Sequence, residues 1–264
     1  MSDDTTIRQN LSALLSGCAG ATNRLIDYIL EMVQVDILEM EDVLFHHNSA
    51  VLMPERPEGE SSEEDDTAQA PGDENEEQDQ VTGLRVLALV FREFEFDERK
   101  EMLIAGHTDT SGSAEYNFEL SKMRADNVKH LLAGEVEEWS HVCFNKHKVE
   151  DYQQILTYIN DQSTEWKSTN WDCAPQGIDD DWGPNTKRAV NNFAVNYNVE
   201  YAEPRGLELL PDNLGDIINA DSQHRWPEDH WHGIFRIYEQ VIADTLGVTT
   251  LALEQEHRPR LRYV

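Results

Sequence analysis

The stretch GHTDTSGSAEYNFELSKMRA, residues 106–125, joins a polar turn to the start of an amphipathic segment. The residues before it, EMLIAG at 101–106, are typical of a short strand. The sequence predicts a helix over about 114–132, with Ser113 as its N-cap and Gly134 as its C-cap. The helical period places the following residues on the inward face: Leu120, Met123, Val128, Leu131 and Leu132.

Three polar residues of this stretch form a candidate binding site. Asn117 and Arg124 are seven positions apart and therefore share one helix face, while Asp109 lies in the preceding turn. If the helix packs back on its strand, Asp109 and Arg124 line one pocket, with Asn117 between them. A carboxylate takes an ammonium group, and arginine holds a carboxylate through two parallel hydrogen bonds, so the set suits a zwitterion. On spacing alone, a simple ion pair between Asp109 and Arg124 is the better supported interpretation.

The charge of the chain restricts its partners. Among 264 residues, 52 are acidic and 21 are basic, which gives a net charge of −31. This excludes a general affinity for nucleic acid or anionic membranes, because both require a positive field. Residues 55–80 carry twelve acidic residues and one arginine and are predicted to be disordered. The rest of the chain is still about 20 charges negative, so a bound anion requires a local cation.

The cysteines and the N-terminus give weaker signals. Cys18, Cys143 and Cys173 are too few for a disulfide scaffold, and the last two are interpreted either as buried thiols or as a pair formed in an oxidising compartment. Leu15-Ser16-Gly17-Cys18 has the form of a lipoprotein cleavage box, but the residues before it lack a positive region. We expect an amphipathic helix there and no conventional export signal. No apolar run approaches membrane-spanning length.

The order of the segments predicts an α+β fold. A helical segment at 1–32 is followed by strands within 33–54, by the acidic insert 55–80 and by a helix over 82–96. The expected inward residues of that helix are Leu84, Leu87, Val90, Phe91 and Phe94. With the strand and helix of the opening stretch, residues 33–54 and 81–135 form a predicted βαβα sandwich that the insert interrupts. A mainly helical module at 148–203, with helices at 149–161 and 185–198, and a helical region at 204–264, with a helix at 230–246, complete the chain.

The opening stretch resembles the signature of the OmpA-like peptidoglycan-binding domain, and LFHHNSAVLMP at 44–54 resembles that family's first strand. The signature positions are Gly106, His107, Thr108, Asp109, Gly112, Asn117, Leu120, Ser121, Arg124 and Ala125. The resemblance implies that Asp109 and Arg124 hold the amine and the carboxylate of diaminopimelate in the stem peptide, with Asn117 and Thr108 beside them. The family's closing strand, with its Asn-Arg-Arg motif, has no counterpart after residue 133, and RPRLRYV at 258–264 is a poor substitute.

A second stretch, GIDDDWGPNTKRAVNNFAVNYNV at 177–199, resembles the second half of the three-helix peptidoglycan-binding repeat. The matching positions are Asp181, Trp182, Gly183, Pro184, Thr186, Ala189, Val190 and Phe193, while Asp180 stands where that repeat usually has glycine. A proline-started helix explains most of this pattern, so it predicts architecture better than ligand. A helical hairpin without a ligand remains an open alternative.

The sequence therefore predicts a bacterial, non-enzymatic peptidoglycan-binding protein that acts in the periplasm, without cofactor or metal. The absence of a conventional signal leaves cytoplasmic synthesis with non-classical delivery open. One alternative is a structural adaptor or cargo protein of a contractile, type VI-like secretion spike, with an envelope or spike protein as partner. A second is a zinc-dependent wall peptidase using His230 and His232, although no companion ligand motif is evident. Asp179, Asp180 and Asp181 lack the spacing of a calcium loop and are interpreted as a polar turn.

Overall fold

The computed structural model describes residues 44–55, 83–96, 104–106, 108, 112–162, 166–212, 228–253 and 258. The regular structure of these residues is helical. In chain order the elements are α1 (Gly83–Phe96), α2 (Ala114–Ala133), α3 (Val136–Asn145), α4 (Val149–Asp161), α5 (Pro184–Asn196), a π-helix (Tyr197–Ala202), α6 (Glu203–Arg205), α7 (Glu228–Leu246) and α8 (Thr250–Ala252). The helix predicted over 1–32 and the acidic insert, except Glu55, lie outside the described residues.

The predicted α+β sandwich is wrong for the described part of the chain, which contains no strand. Residues 44–54 belong to the segment whose alternation and β-branched residues predict one or two strands, and its apolar residues 50–53 are fully buried. Their backbone groups, however, bond to partners other than a neighbouring strand: Ala50 N–H to the Lys146 carbonyl at 3.0 Å, and Met53 N–H to the Leu44 carbonyl at 2.8 Å. The Tyr238 hydroxyl donates to the Leu52 carbonyl at 2.9 Å. A short apolar run predicts burial, and here helices rather than strands supply that burial.

The second predicted strand, 101–106, is described only over 104–106, where it is irregular. Residues 33–43 and 101–103 of the two predicted strands lie outside the described part of the chain.

The two helices predicted around the motif are confirmed. Of its predicted inward residues, α1 buries Leu84, Leu87, Val90 and Phe91, while the side chain of Phe94 lies outside the described part of the structure. At the start of α2 the Ser113 hydroxyl accepts from the Tyr116 N–H at 3.2 Å, and at its end Gly134 adopts the left-handed conformation with φ 78°. The predicted inward residues of α2 are buried, except Met123, which is half-buried. Local capping signals are therefore sufficient to place this helix.

Helices α4, α5 and α7 agree with the predicted helices to within two residues at each end. Helix α3 was not predicted, although Trp139 and Cys143 lie four positions apart and are both fully buried. Cys143 and Cys173 are buried free thiols, which confirms one of the two interpretations.

The core joins the N-terminal and C-terminal parts of the described chain. Trp139 of α3 makes edge-on contacts with Trp231, Phe235 and Tyr238 of α7, at ring-centroid distances of 6.2, 5.5 and 5.7 Å. Helix α7 also packs against α1. The buried apolar cluster extends from Leu44 to Leu253, so the residues around the motif and the last long helix stabilise each other.

Candidate functional site

The described part of the motif's turn lies against α2. A Cβ on Gly106 would lie 1.9 Å from the Ser121 carbonyl oxygen, so this close approach requires glycine. The Thr108 hydroxyl donates to the Asn117 carbonyl at 3.5 Å. Gly112, with φ 108°, lies beside the side-chain oxygen of Asn117. The structure therefore brings Thr108 and Asn117 together.

Asp109 and His107 lie outside the described residues. The role of Asp109 in the candidate binding site therefore stays a prediction, and so does its proximity to Arg124.

Arg124 is held in place by residues 45–49. Its side chain is buried, and the residue is only 8% exposed. Its Nε donates to the Ser49 carbonyl at 3.0 Å, and its Nη2 donates to the His46 carbonyl at 3.2 Å. The guanidinium carbon also lies 5.0 Å from the centre of the Phe45 ring. These contacts fix the orientation of the guanidinium before any ligand binds.

Behind this contact lies a buried carboxylate that the sequence reasoning missed. Asp151 in the first turn of α4 is fully buried; its Oδ1 accepts from His46 Nδ1 at 2.8 Å. Its Oδ2 accepts from the Ser49 hydroxyl at 2.7 Å and from the Lys148 N–H at 2.6 Å. The available signal was an aspartate at the third position of a predicted helix, where a carboxylate reaches back to cap the backbone.

The carboxylate of Asp151 changes the titration of His46. Burial lowers the pKa of His46, but the hydrogen bond to Asp151 and the charge of Asp151 outweigh it, and the pKa lies above its ordinary value of 6.5. The charged imidazole is therefore favoured next to the buried carboxylate.

A further contact holds the same segment from the solvent side. The Tyr116 hydroxyl donates to the side-chain oxygen of Asn48 at 2.8 Å, and Lys146 Nζ donates to that hydroxyl at 3.0 Å. Asn48 has φ 63°, in the left-handed region that asparagine tolerates better than most residues.

The two histidines of the zinc alternative have other partners. His230 is fully buried, and its Nε2 donates to the Pro211 carbonyl at 2.6 Å. Burial lowers the pKa of His230 to about 4, which keeps the ring neutral. His232 Nε2 instead lies 3.3 Å from a carboxylate oxygen of Glu137. The two rings therefore bond to different segments, and the described residues contain no group of three or more side chains that could hold a metal ion.

The aspartate run before α5 forms a polar turn. Gln153 Nε2 donates to Asp179 Oδ1 at 2.8 Å, and the N–H groups of Asp179 and Asp180 both donate to Gln153 Oε1 at 3.0 Å. Pro184 then begins α5, whose Ala189, Val190 and Phe193 are fully buried. These contacts account for most of the second pattern as architecture.

Arg258 is the described residue of the C-terminal segment 258–264. It donates to the Leu131 and Leu132 carbonyls at the end of α2, both at 3.2 Å, and forms an ion pair with Glu239 of α7. This arginine therefore caps α2, since cations stabilise the negative end of a helix.

Residues 74–135 match a model of the OmpA family. The matched stretch contains α1, the motif of residues 106–125 and α2. The match supports an OmpA-like peptidoglycan-binding domain here, and with it a general association with peptidoglycan and the cell envelope. Domains of this family are typically binding domains without catalytic activity.

The match does not reach the second pattern, and the resemblance of that region to the three-helix repeat is not confirmed. No curated protein and no solved structure shows a significant similarity to this chain. Among the helices that the structure describes, none is both long enough and apolar enough to span a membrane.

Proposed function

We propose that this chain binds bacterial peptidoglycan without catalysis, through the diaminopimelate of the stem peptide, in the periplasm. Arg124 binds the carboxylate of that residue, and Asp109 takes its ammonium group. Asn117 and Thr108 lie beside the ligand. The proposal extends the general association with peptidoglycan that the family match supports.

The observation that carries the proposal is the fixed guanidinium of Arg124. An arginine that is already ordered loses less conformational entropy when it binds a carboxylate than a mobile side chain does. The two carbonyl contacts and the Phe45 ring supply this order.

The charge of the chain favours a zwitterion over a simple anion. At a net charge of −31 the surrounding field repels anions. The side-chain end of diaminopimelate carries an ammonium and a carboxylate, so its net charge is zero and the field does not oppose its approach. Asp109 would bind the ammonium group of this zwitterion, and Arg124 would bind its carboxylate.

The test is calorimetric titration of the full chain with free diaminopimelate. Arg124→Lys keeps the charge but loses the planar fork, and we expect it to bind at least about tenfold more weakly. Asp109→Asn should weaken binding similarly. Lys122→Ala is the matched control, because it removes a cation of the same helix whose side chain is 61% exposed and pairs with Asp126.

Unchanged affinity in Arg124→Lys, with the fold retained, would contradict the clamp. In that case the OmpA-like region would serve as a scaffold, and the alternative of an adaptor for a protein partner would gain support.

A further inference from the structure

We propose that Asp151 is a positioning residue of the peptidoglycan site, because it fixes the turn 46–49 whose carbonyls hold Arg124. The proposal rests on the proposed function for the identity of the ligand, diaminopimelate. Asp151 lies outside residues 74–135, which match the OmpA family. The helical region that follows the motif would thus contribute a residue that positions the binding site.

The first step is that a buried carboxylate requires hydrogen-bond donors. Asp151 is fully buried, and a buried charge is costly unless it is paired and hydrogen-bonded. Its described donors are the side chains of His46 and Ser49 and the backbone N–H of Lys148. Two of these three donors come from the turn 46–49, so Asp151 binds both ends of that turn.

The second step is the rigidity of the turn. Its ends are closed by a hydrogen bond from the Ser49 N–H to the His46 carbonyl at 3.0 Å. The Ser49 hydroxyl also accepts from the Val51 N–H at 3.0 Å. With Asn48 bound to Tyr116, the turn is held on both sides. Its carbonyls therefore point in fixed directions.

The third step is that Arg124 binds the carbonyls of the same two residues. The side chains of His46 and Ser49 bind Asp151, and their carbonyls accept from Arg124 Nη2 and Nε. A loss of the side-chain contacts would let the turn rotate and would redirect both carbonyls. The guanidinium would then lose the orientation that a two-bond contact to a carboxylate requires.

The network also predicts a pH dependence. The charged groups that face His46 are Asp151 and Glu150 of α4, Lys148 before that helix, and Arg124 of α2, which binds its carbonyl. Burial lowers the pKa of His46, but the effect of Asp151 is larger and raises the pKa above 6.5. The ion pair between protonated His46 and Asp151 is fully formed below pH 6.5, and it is lost as pH rises through the raised pKa of His46. Diaminopimelate affinity should fall over that range.

The experiment compares variants of the full chain in diaminopimelate titrations at pH 6 and pH 8.5. Asp151→Asn should bind about tenfold more weakly than wild type at pH 6, because hydrogen bonds to a charged group are lost, and its affinity should not change with pH. Asp161→Asn, at the exposed end of the same helix, is the matched control and should behave like wild type.

A conservative variant separates positioning from a general loss of stability. In His46→Asn the side-chain amide nitrogen can take the place of Nδ1, so affinity should be largely retained while its dependence on pH disappears. Equal affinity of Asp151→Asn and wild type at both pH values would overturn the proposal.

A readout without ligand distinguishes this proposal from the proposed function. The Nε–H resonance of Arg124, assigned by its loss in Arg124→Lys, should exchange slowly with water in wild type and rapidly in Asp151→Asn. Equal protection in both proteins overturns the positioning role. Protection that depends on Asp151, in a wild type that does not bind diaminopimelate, overturns the proposed function and leaves the coupling intact. Should Asp151→Asn fail to fold, Ser49→Ala makes the same test, since it removes one link and keeps the carbonyl.

Discussion

At the scale of single residues, the packing of the motif depends both on a glycine without a side chain, Gly106, and on the buried side chain of Arg124. Gly106 lets the chain approach the backbone of α2 at Ser121 more closely than any side chain would allow. The signature glycine is therefore explained by packing rather than by contact with a ligand. Arg124 shows the reverse case, in which a polar side chain is buried because backbone carbonyls are available to it.

Gly106→Ala should destabilise the protein by about 1–3 kcal/mol, because the added methyl group overlaps a backbone oxygen that cannot rotate away. Gly177→Ala is the matched control, since a Cβ at Gly177 would meet nothing within 4 Å. Its effect should remain within about 0.5 kcal/mol. Urea denaturation of both variants measures the difference, and equal stabilities would show that residue 106 does not approach α2 so closely.

The thiols of Cys143 and Cys173 should not react in the native protein. Burial raises the pKa of both groups, that of Cys173 to about 12, so the reactive thiolate is suppressed. In a Cys18→Ser background, a thiol reagent should label neither cysteine until urea is added. Rapid labelling under native conditions would contradict the described burial.

At the scale of elements, one charged side chain of the π-helix binds the loop that precedes α5. Glu200 of the π-helix accepts hydrogen bonds from the Ser168 N–H, the Thr169 hydroxyl and the Trp171 indole, at 3.1, 2.6 and 3.0 Å. One carboxylate thus anchors the loop that leads to α5. Pro184 and the buried face of α5 were predictable from sequence, whereas this anchor was not, because its partners lie about 30 residues away.

The anchoring by Glu200 should depend on pH. Burial raises the pKa of Glu200, but the three donors outweigh it and lower the pKa to about 2. Its stabilisation is therefore complete above the ordinary pKa of 4.5 and is lost as pH falls toward 2. Because Glu200 is only partly buried, we expect a difference of only about 1 kcal/mol in unfolding free energy between wild type and Glu200→Gln at pH 6.

Most of that difference should be lost by pH 3, as measured by urea denaturation of both proteins at the two pH values. A difference that persists unchanged at pH 3 would show that Glu200 is not the titrating anchor.

At the scale of the whole molecule, the residues around the motif depend on the C-terminal part of the chain. The Tyr238 hydroxyl binds the Leu52 carbonyl, and Arg258 caps α2. The aromatic cluster of α3 and α7 joins both parts in one core. A separate fold for the OmpA-like residues would have to replace all of these contacts.

The isolated fragment 33–135 should therefore lack a cooperative thermal transition, because it loses the partners of Leu52 and of the end of α2. Circular dichroism during heating makes the measurement. The fragment 40–264, which retains these contacts, is the control and should melt cooperatively. A cooperative transition in fragment 33–135 would show that its core is self-sufficient.

The sequence predicted those parts of this structure that local signals specify. The caps Ser113 and Gly134 delimit α2, and the pairing of Thr108 with Asn117 agrees with a turn that folds back on the helix. The strand prediction is wrong over 44–54 because alternation and β-branched residues indicate burial and do not identify hydrogen-bond partners. Asp151 was missed because it lies 105 positions from His46, and no local pattern connects them.

The most direct test of the central claim is sedimentation of the full chain with two purified peptidoglycans. One contains diaminopimelate; the other contains lysine at the same position, which keeps the side-chain ammonium group but lacks the neighbouring carboxylate. If Arg124 binds that carboxylate, the protein should sediment with the first polymer, be released by free diaminopimelate and remain in solution with the second. Equal sedimentation with both polymers would contradict the role assigned to Arg124.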